Sequence, residues 1–220
     1  DRTSFPLHPD PMNRLIAFLS AALFAAGALA QIPQPPEVAA RSFVLVDLTS
    51  QQVLAEREAD ARADPASLTK LMTAYLVFAA IRDGKLSLEQ SLPVSTRAWA
   101  ERKGGGSLMF IDTTMTPRVD ELLRGVIVQS GNDASVVLAE AVGGTLDGFV
   151  AMMNKQAQAW GLKNTQFRNV TGLTEPGHYS SARDVATVAA RIITDFPEFY
   201  KLYSIRQYTY NRIKQDNRNL

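Results

Sequence analysis

The stretch Asp64-Pro65-Ala66-Ser67-Leu68-Thr69-Lys70-Leu71-Met72-Thr73-Ala74-Tyr75 constrains this chain more than any other. Leu68, Leu71, Met72, Tyr75, Leu76 and Ala79 recur at helical spacing, and Asp64-Pro65 breaks the chain just before a helix begins. The pattern predicts a helix with Ser67 at its N-terminus. Ser67 and Lys70 then share one face, one turn apart, which sets an alcohol beside an amine. Lysine keeps its proton at pH 7 unless its pKa falls, and the positive end of the helix dipole, burial and a second cation all push it down. The free N–H groups of the same helix end suit a developing oxyanion.

Composition narrows the chemistry available to such a pair. With 220 residues, 46% hydrophobic and 20% charged, the chain has an ordinary globular make-up and enough length for one substantial core. A formal net charge of +1 without a lysine or arginine cluster excludes a nucleic-acid partner. The sequence has no cysteine, and its only histidines are His8 and His178, which leaves little for a thiolate nucleophile or a zinc site and excludes a His-based triad unless His178 supplies it. No cofactor motif is present, because Gly104-Gly105-Gly106-Ser107 lacks both phosphate-cradle endings and reads as a plain turn.

In chain order, residues 1–11 precede the first methionine and read as an upstream or non-native segment. Residues 12–30 read as an export signal: Arg14, the apolar run Leu15 to Leu29, and the small-x-small site Ala28-Leu29-Ala30. About 15 apolar residues at ~1.5 Å each reach only ~22 Å, short of a ~30 Å hydrocarbon core. Residues 31–41 form a proline-rich linker, and a single domain is expected from 42 to 220. Ser42 to Asp47 and Gln52 to Glu56 predict a hairpin, and Asp83-Gly84 predicts the end of the Ser67 helix. Leu86 to Val94 suits a short strand or extended connection, Trp99 a short helix, and Thr116-Pro117 a helix start with proline in its first position. Helices are expected over Ala134 to Val142, Leu146 to Trp160 and Val185 to Ile193, the last behind a capping box at Ser181 to Asp184, and a strand over Ile205 to Tyr210. Gln129-Ser130-Gly131-Asn132-Asp133 forms a sharp junction between two apolar helices.

A Ser-x-x-Lys pair arises by accident roughly once in a chain this long. Here Ser130-Gly131-Asn132 follows it, a recognised second element of a catalytic signature. The sequence resembles the serine-type D-alanyl-D-alanine carboxypeptidases, the low-molecular-mass penicillin-binding proteins. The resemblance rests on Pro65 to Thr73, on Ser107-Leu108-Met109-Phe110, on Gln129 to Ala134, and on His178-Tyr179-Ser180-Ser181-Ala182-Arg183-Asp184. It implies an α/β fold of three α/β/α layers with a mostly antiparallel sheet and a helical subdomain. It also implies Ser67 as nucleophile, Lys70 as general base, Ser130 as proton relay and Asn132 as a substrate-binding amide, with His178 structural.

The implied substrates are peptidoglycan stem peptides ending in D-Ala-D-Ala, and β-lactam antibiotics would acylate the same serine. The implied location is the periplasm or the outer face of the cytoplasmic membrane, with membrane-surface association through a segment beyond Leu220. The family's Lys-Thr-Gly strand does not occur in these residues, so the domain is expected to be incomplete at its C-terminal end and inactive by itself. Three alternatives stay open: a β-lactamase, a penicillin sensor that acylates without turnover, and a D-alanyl endopeptidase. A β-lactamase fits least, since Gly131 follows Ser130 and neither Glu175 nor Glu198 lies in a Glu-x-x-Leu-Asn context.

Overall fold

A computed structural model describes residues 37–217, and the body of the fold starts at Ala40. The expected export signal and upstream segment lie outside the described residues. The body opens with the predicted hairpin, β1 (Phe43–Asp47) against β2 (Gln52–Arg57), antiparallel with an irregularity between Leu45 and Val46. Its turn is closed by Asp47, whose carboxylate accepts from the Thr49 N–H at 2.8 Å and the Ser50 hydroxyl at 2.9 Å.

Helix α1 (Thr69–Arg82) runs through the middle of the body. Its apolar residues go all the way round, and a helix of that kind has no solvent face. Met72, Ala74, Val77 and Phe78 are fully buried, and the helices Val119–Gln129, Asn132–Gly143, Leu146–Ala159 and Ala182–Asp195 pack against this one. The helix stops where the sequence predicts: Gly84 takes φ +70°, and its N–H and that of Lys85 return to the carbonyls of Ile81 and Ala80. A short helix, α2 (Thr96–Ala100), follows, capped by the Ser95 hydroxyl.

The segment Leu86 to Val94 is an extended connection with no strand in it. Leu92 and Gln90 exchange backbone bonds with Pro117 and Val119, a single isolated bridge joins Ser91 to Arg118, and buried Leu86, Leu92 and Val94 pin the rest. That pairing also moves the next helix start. The carbonyl of Pro117 is spent on Leu92, Arg118 stays extended, and α3 spans Val119–Gln129 rather than beginning at the proline. Helices α4 (Asn132–Gly143) and α5 (Leu146–Ala159) meet at 82°, with Thr145 capping the second.

Helix α6 (Ala182–Asp195) is capped by Ser181 as predicted, but the capping box is only half formed. The Asp184 carboxylate accepts from the Asn164 N–H and the Thr165 hydroxyl instead of reaching back to Ser181. After the short helix α7 (Pro197–Tyr200), β3 (Gln207–Tyr210) pairs antiparallel with β4 (Ile213–Asp216). Among the described residues the strands therefore form two separate antiparallel ribbons on a mainly helical body. An aromatic cluster seals the far end of α1, where Tyr75 meets Trp160 edge-on at 4.6 Å and Phe78 stacks on Phe199.

Candidate active site

Ser67 lies in a 3₁₀ turn, Ala66–Leu68, that leads directly into α1. Pro65 fixes the entry, and Ala66 takes a left-handed φ of +47°, a strained conformation for a residue with a side chain. Gly172 lies on this turn so closely that a Cβ there would come within 1.8 Å of the Ala66 carbonyl oxygen. The tight turn changes one expectation. The N–H groups of Leu68 and Thr69 are bonded to the carbonyls of Pro65 and Ala66, so they are not the free oxyanion donors that a plain helix end offers.

Lys70 projects from the first turn of α1, and its Nζ stands 3.3 Å from Ser67 Oγ and 2.7 Å from the Thr171 carbonyl oxygen. Only 5% of the residue is exposed. Burial lowers its pKa to about 8, against the opposing pull of the Glu101 and Asp133 carboxylates. The charges it feels are thus two anions that oppose the shift, and desolvation carries it. The pair can act as an alcohol activated by a neutral amine near neutral pH.

Ser130 ends α3 in a left-handed conformation, φ +62° and ψ +36°, which turns its side chain off the helix. Its hydroxyl oxygen is buried and without a hydrogen-bond partner, a costly state for a group with nothing to do. Ser67, Lys70, Ser107 and Ser130 line one cavity of about 500 Å³, walled by Val126, Val128 and Tyr203. Three of the four expected site residues therefore meet in one space. Asn132 does not line that cavity. It is buried at the start of α4, and its amide nitrogen lies where a Cβ on Gly106 would come within 2.2 Å.

Several residues without an assigned role build this geometry. The Asp133 carboxylate accepts from the backbone N–H groups of Met109, Ile111 and Ala134, tying the Ser107 to Ile111 loop to α4. The Asn132 N–H adds a bond to the Ser107 carbonyl at 2.8 Å. Asn169 Oδ1 accepts from the N–H groups of Thr171 and Gly172, forming the turn that presents the Thr171 carbonyl to Lys70. Gly106 is thus more than a plain turn residue. The only signals in sequence were the Gly-Gly-Gly run and the Asn-x-Thr-Gly string, both of which are common in loops.

Comparison with known proteins adds to this geometry. The D-alanyl-D-alanine carboxypeptidase family, peptidase S11, matches residues 29–220. The chain is 46% identical over 210 residues to D-alanyl-D-alanine carboxypeptidase DacA of Haemophilus influenzae, covering 93% of this chain and 53% of that protein. It is 44% identical over 191 residues to DacA of Escherichia coli, covering 86% of this chain and 47% of that one. The chain thus spans about half the length of the curated relatives it matches. Among solved structures, penicillin binding protein 5 from Haemophilus influenzae superposes with a TM-score of 0.82 at 46% identity, over 84% of this chain and 54% of that one. The fold is the α/β fold of those penicillin-binding proteins. The chain belongs to the D-alanyl-D-alanine carboxypeptidase family of serine peptidases.

Proposed function

We propose that these residues form the acyl-transfer site of a serine DD-carboxypeptidase that removes the terminal D-alanine from peptidoglycan stem peptides. The observation that carries this reading is a buried Lys70, its pKa lowered to about 8, within 3.3 Å of Ser67 Oγ. Ser67 Oγ attacks the carbonyl of the penultimate D-alanine, and its proton passes to Lys70 Nζ. The tetrahedral intermediate collapses as the C–N bond breaks, and Ser130 Oγ relays a proton from Lys70 to the leaving amine. Water then attacks the ester and frees Ser67. A β-lactam carbonyl enters the same first step and leaves its acyl group on Ser67.

Asn132 is assigned to holding the substrate peptide, from a position behind Gly106 at the start of α4. A Lys-Thr-Gly element is absent from the 220 residues, so these residues alone are expected not to release D-alanine. Export through residues 12–30, and action at the periplasmic or outer membrane face, are part of the same proposal. Mature protein is expected to begin at Gln31, and N-terminal sequencing checks it.

The test of the reaction is D-alanine release by the full-length protein from a pentapeptide ending in D-Ala-D-Ala. Lys70→Ala is expected to cut the rate at least about a hundredfold, as is typical for loss of a general base. Lys70→Arg should fail too, since a guanidinium stays protonated at any working pH. A Lys70→Ala enzyme with the wild-type rate would show that Lys70 is not the base.

A further inference from the structure

His178 touches both halves of the nucleophile site and takes no part in the steps above. It is 3% exposed and sits beside Phe167, with ring centroids 6.0 Å apart. Its Nδ1 lies 3.0 Å from the backbone nitrogen of Arg168, which can only donate. Nδ1 must therefore be the unprotonated acceptor, and the ring proton is on Nε2. Nε2 in turn lies 2.8 Å from Oγ1 of Thr69, a buried residue that stands between Ser67 and Lys70 in sequence.

The two partners belong to two different pieces of the site. Thr69 opens α1, one residue before the base. Arg168 opens the turn that delivers the Thr171 carbonyl to Lys70 at 2.7 Å. Further contacts run across the same seam: Thr73 Oγ1 donates to the Val170 carbonyl at 2.9 Å, and Gly172 rests on Ala66. Within this seam His178 is the side chain that bonds both sides at once.

We propose that His178, as the neutral imidazole protonated at Nε2, is a positioning residue for the acyl-transfer reaction: it clamps Thr69 to the 168–172 turn and so holds the Thr171 carbonyl against Lys70. This rests on the reaction proposed above. Protonating Nδ1 would place an N–H against the Arg168 N–H, donor facing donor, and the clamp would open on that side. The charges that act on the ring are Glu175 on its own loop and Asp64 ahead of the nucleophile. Burial lowers the His178 pKa, while Glu175 and Asp64 pull it upward, so the neutral form holds at neutral pH and the clamp opens only in acid.

The experiment follows acylation of Ser67 by a fluorescent penicillin from about pH 5 to about pH 9 in the full-length protein, with His178→Gln and Thr69→Val alongside wild type. Gln keeps a donor near the Nε2 position but cannot titrate, and Val keeps the shape of Thr69 without its hydroxyl. Both variants are expected to slow acylation about tenfold to about a hundredfold on the alkaline plateau, the range for a displaced reacting group. The wild-type rate should fall more steeply in acid than that of His178→Gln, which retains only the Lys70 limb. Nitrogen-15 spectra of the His178 ring should show the proton on Nε2 at neutral pH. A ring proton on Nδ1, or both variants within twofold of wild type at every pH, would overturn the clamp. A wild-type protein that is never acylated overturns the reaction itself, and the clamp with it.

Discussion

Lys70 is where folding and chemistry oppose each other. Its pKa falls from the ordinary 10.5 to about 8, so keeping an ammonium buried at pH 7 costs about 3 kcal/mol, at about 1.4 kcal/mol per pKa unit. The sign follows from proton counting: between about pH 8 and pH 10.5 the unfolded chain binds more protons at this site than the folded one. Stability conferred by Lys70 is therefore lowest below pH 8 and recovers as pH rises through that window. Urea unfolding of wild type and Lys70→Met across the window should show wild type gaining about 3 kcal/mol relative to the variant. A constant difference would mean the amine is not buried as described. Glu101 is a second handle, because its carboxylate raises the Lys70 pKa against the effect of burial. Glu101→Gln should move the acid limb of the acylation rate to lower pH, and a shift in the opposite direction would contradict this electrostatic picture.

At the level of elements, two loops flank the Ser67 turn, and their glycines predict opposite behaviour. Gly172 has φ +85° and faces a backbone carbonyl, which cannot yield. Gly172→Ala should cost over about 2 kcal/mol and displace the Ala66–Ser67 turn, so both the melting temperature and acylation should drop. Gly106 faces the Asn132 amide, the end of a side chain that can swing away, with Leu173 at ordinary contact distance. Gly106→Ala should leave the melting temperature nearly unchanged and instead raise KM for the peptide, if Asn132 holds substrate. A large loss of stability in Gly106→Ala would mean that Asn132 serves the fold and not the substrate. Asp133 was legible only as part of a motif, whereas the structure gives it three backbone donors and a raised pKa caused by burial. A carboxylate that anchors a loop leaves no periodic trace in sequence, since the loop donors, the N–H groups of Met109 and Ile111, lie more than twenty residues away.

Across the whole molecule, what was legible follows how local each signal is. The Ser67 helix, its stop at Gly84, the Phe43 hairpin and the helices behind Ser130 and Thr145 depend on spacing and capping within a few residues. Leu86 to Val94 and the start at Val119 depend on each other across the chain, so alternation alone left a strand and an extended connection both open while proline alone suggested a helix start, and pairing between the segments decided the first and overrode the second. The Ser67, Lys70 and Ser130 cluster was legible because two short motifs carry it. Asn132's place behind Gly106 was not, because it depends on how the Gly104 to Ser107 turn folds back onto α4. The proposed reaction requires Ser67 as the acylated nucleophile and Lys70 as the base that activates it. Its most direct test is to incubate the full-length protein with a labelled penicillin, digest it and locate the adduct by mass spectrometry. Stoichiometric label is expected on the peptide carrying Ser67, and none in Ser67→Ala or Lys70→Ala. Label on any other residue, or undiminished label in Lys70→Ala, would contradict it.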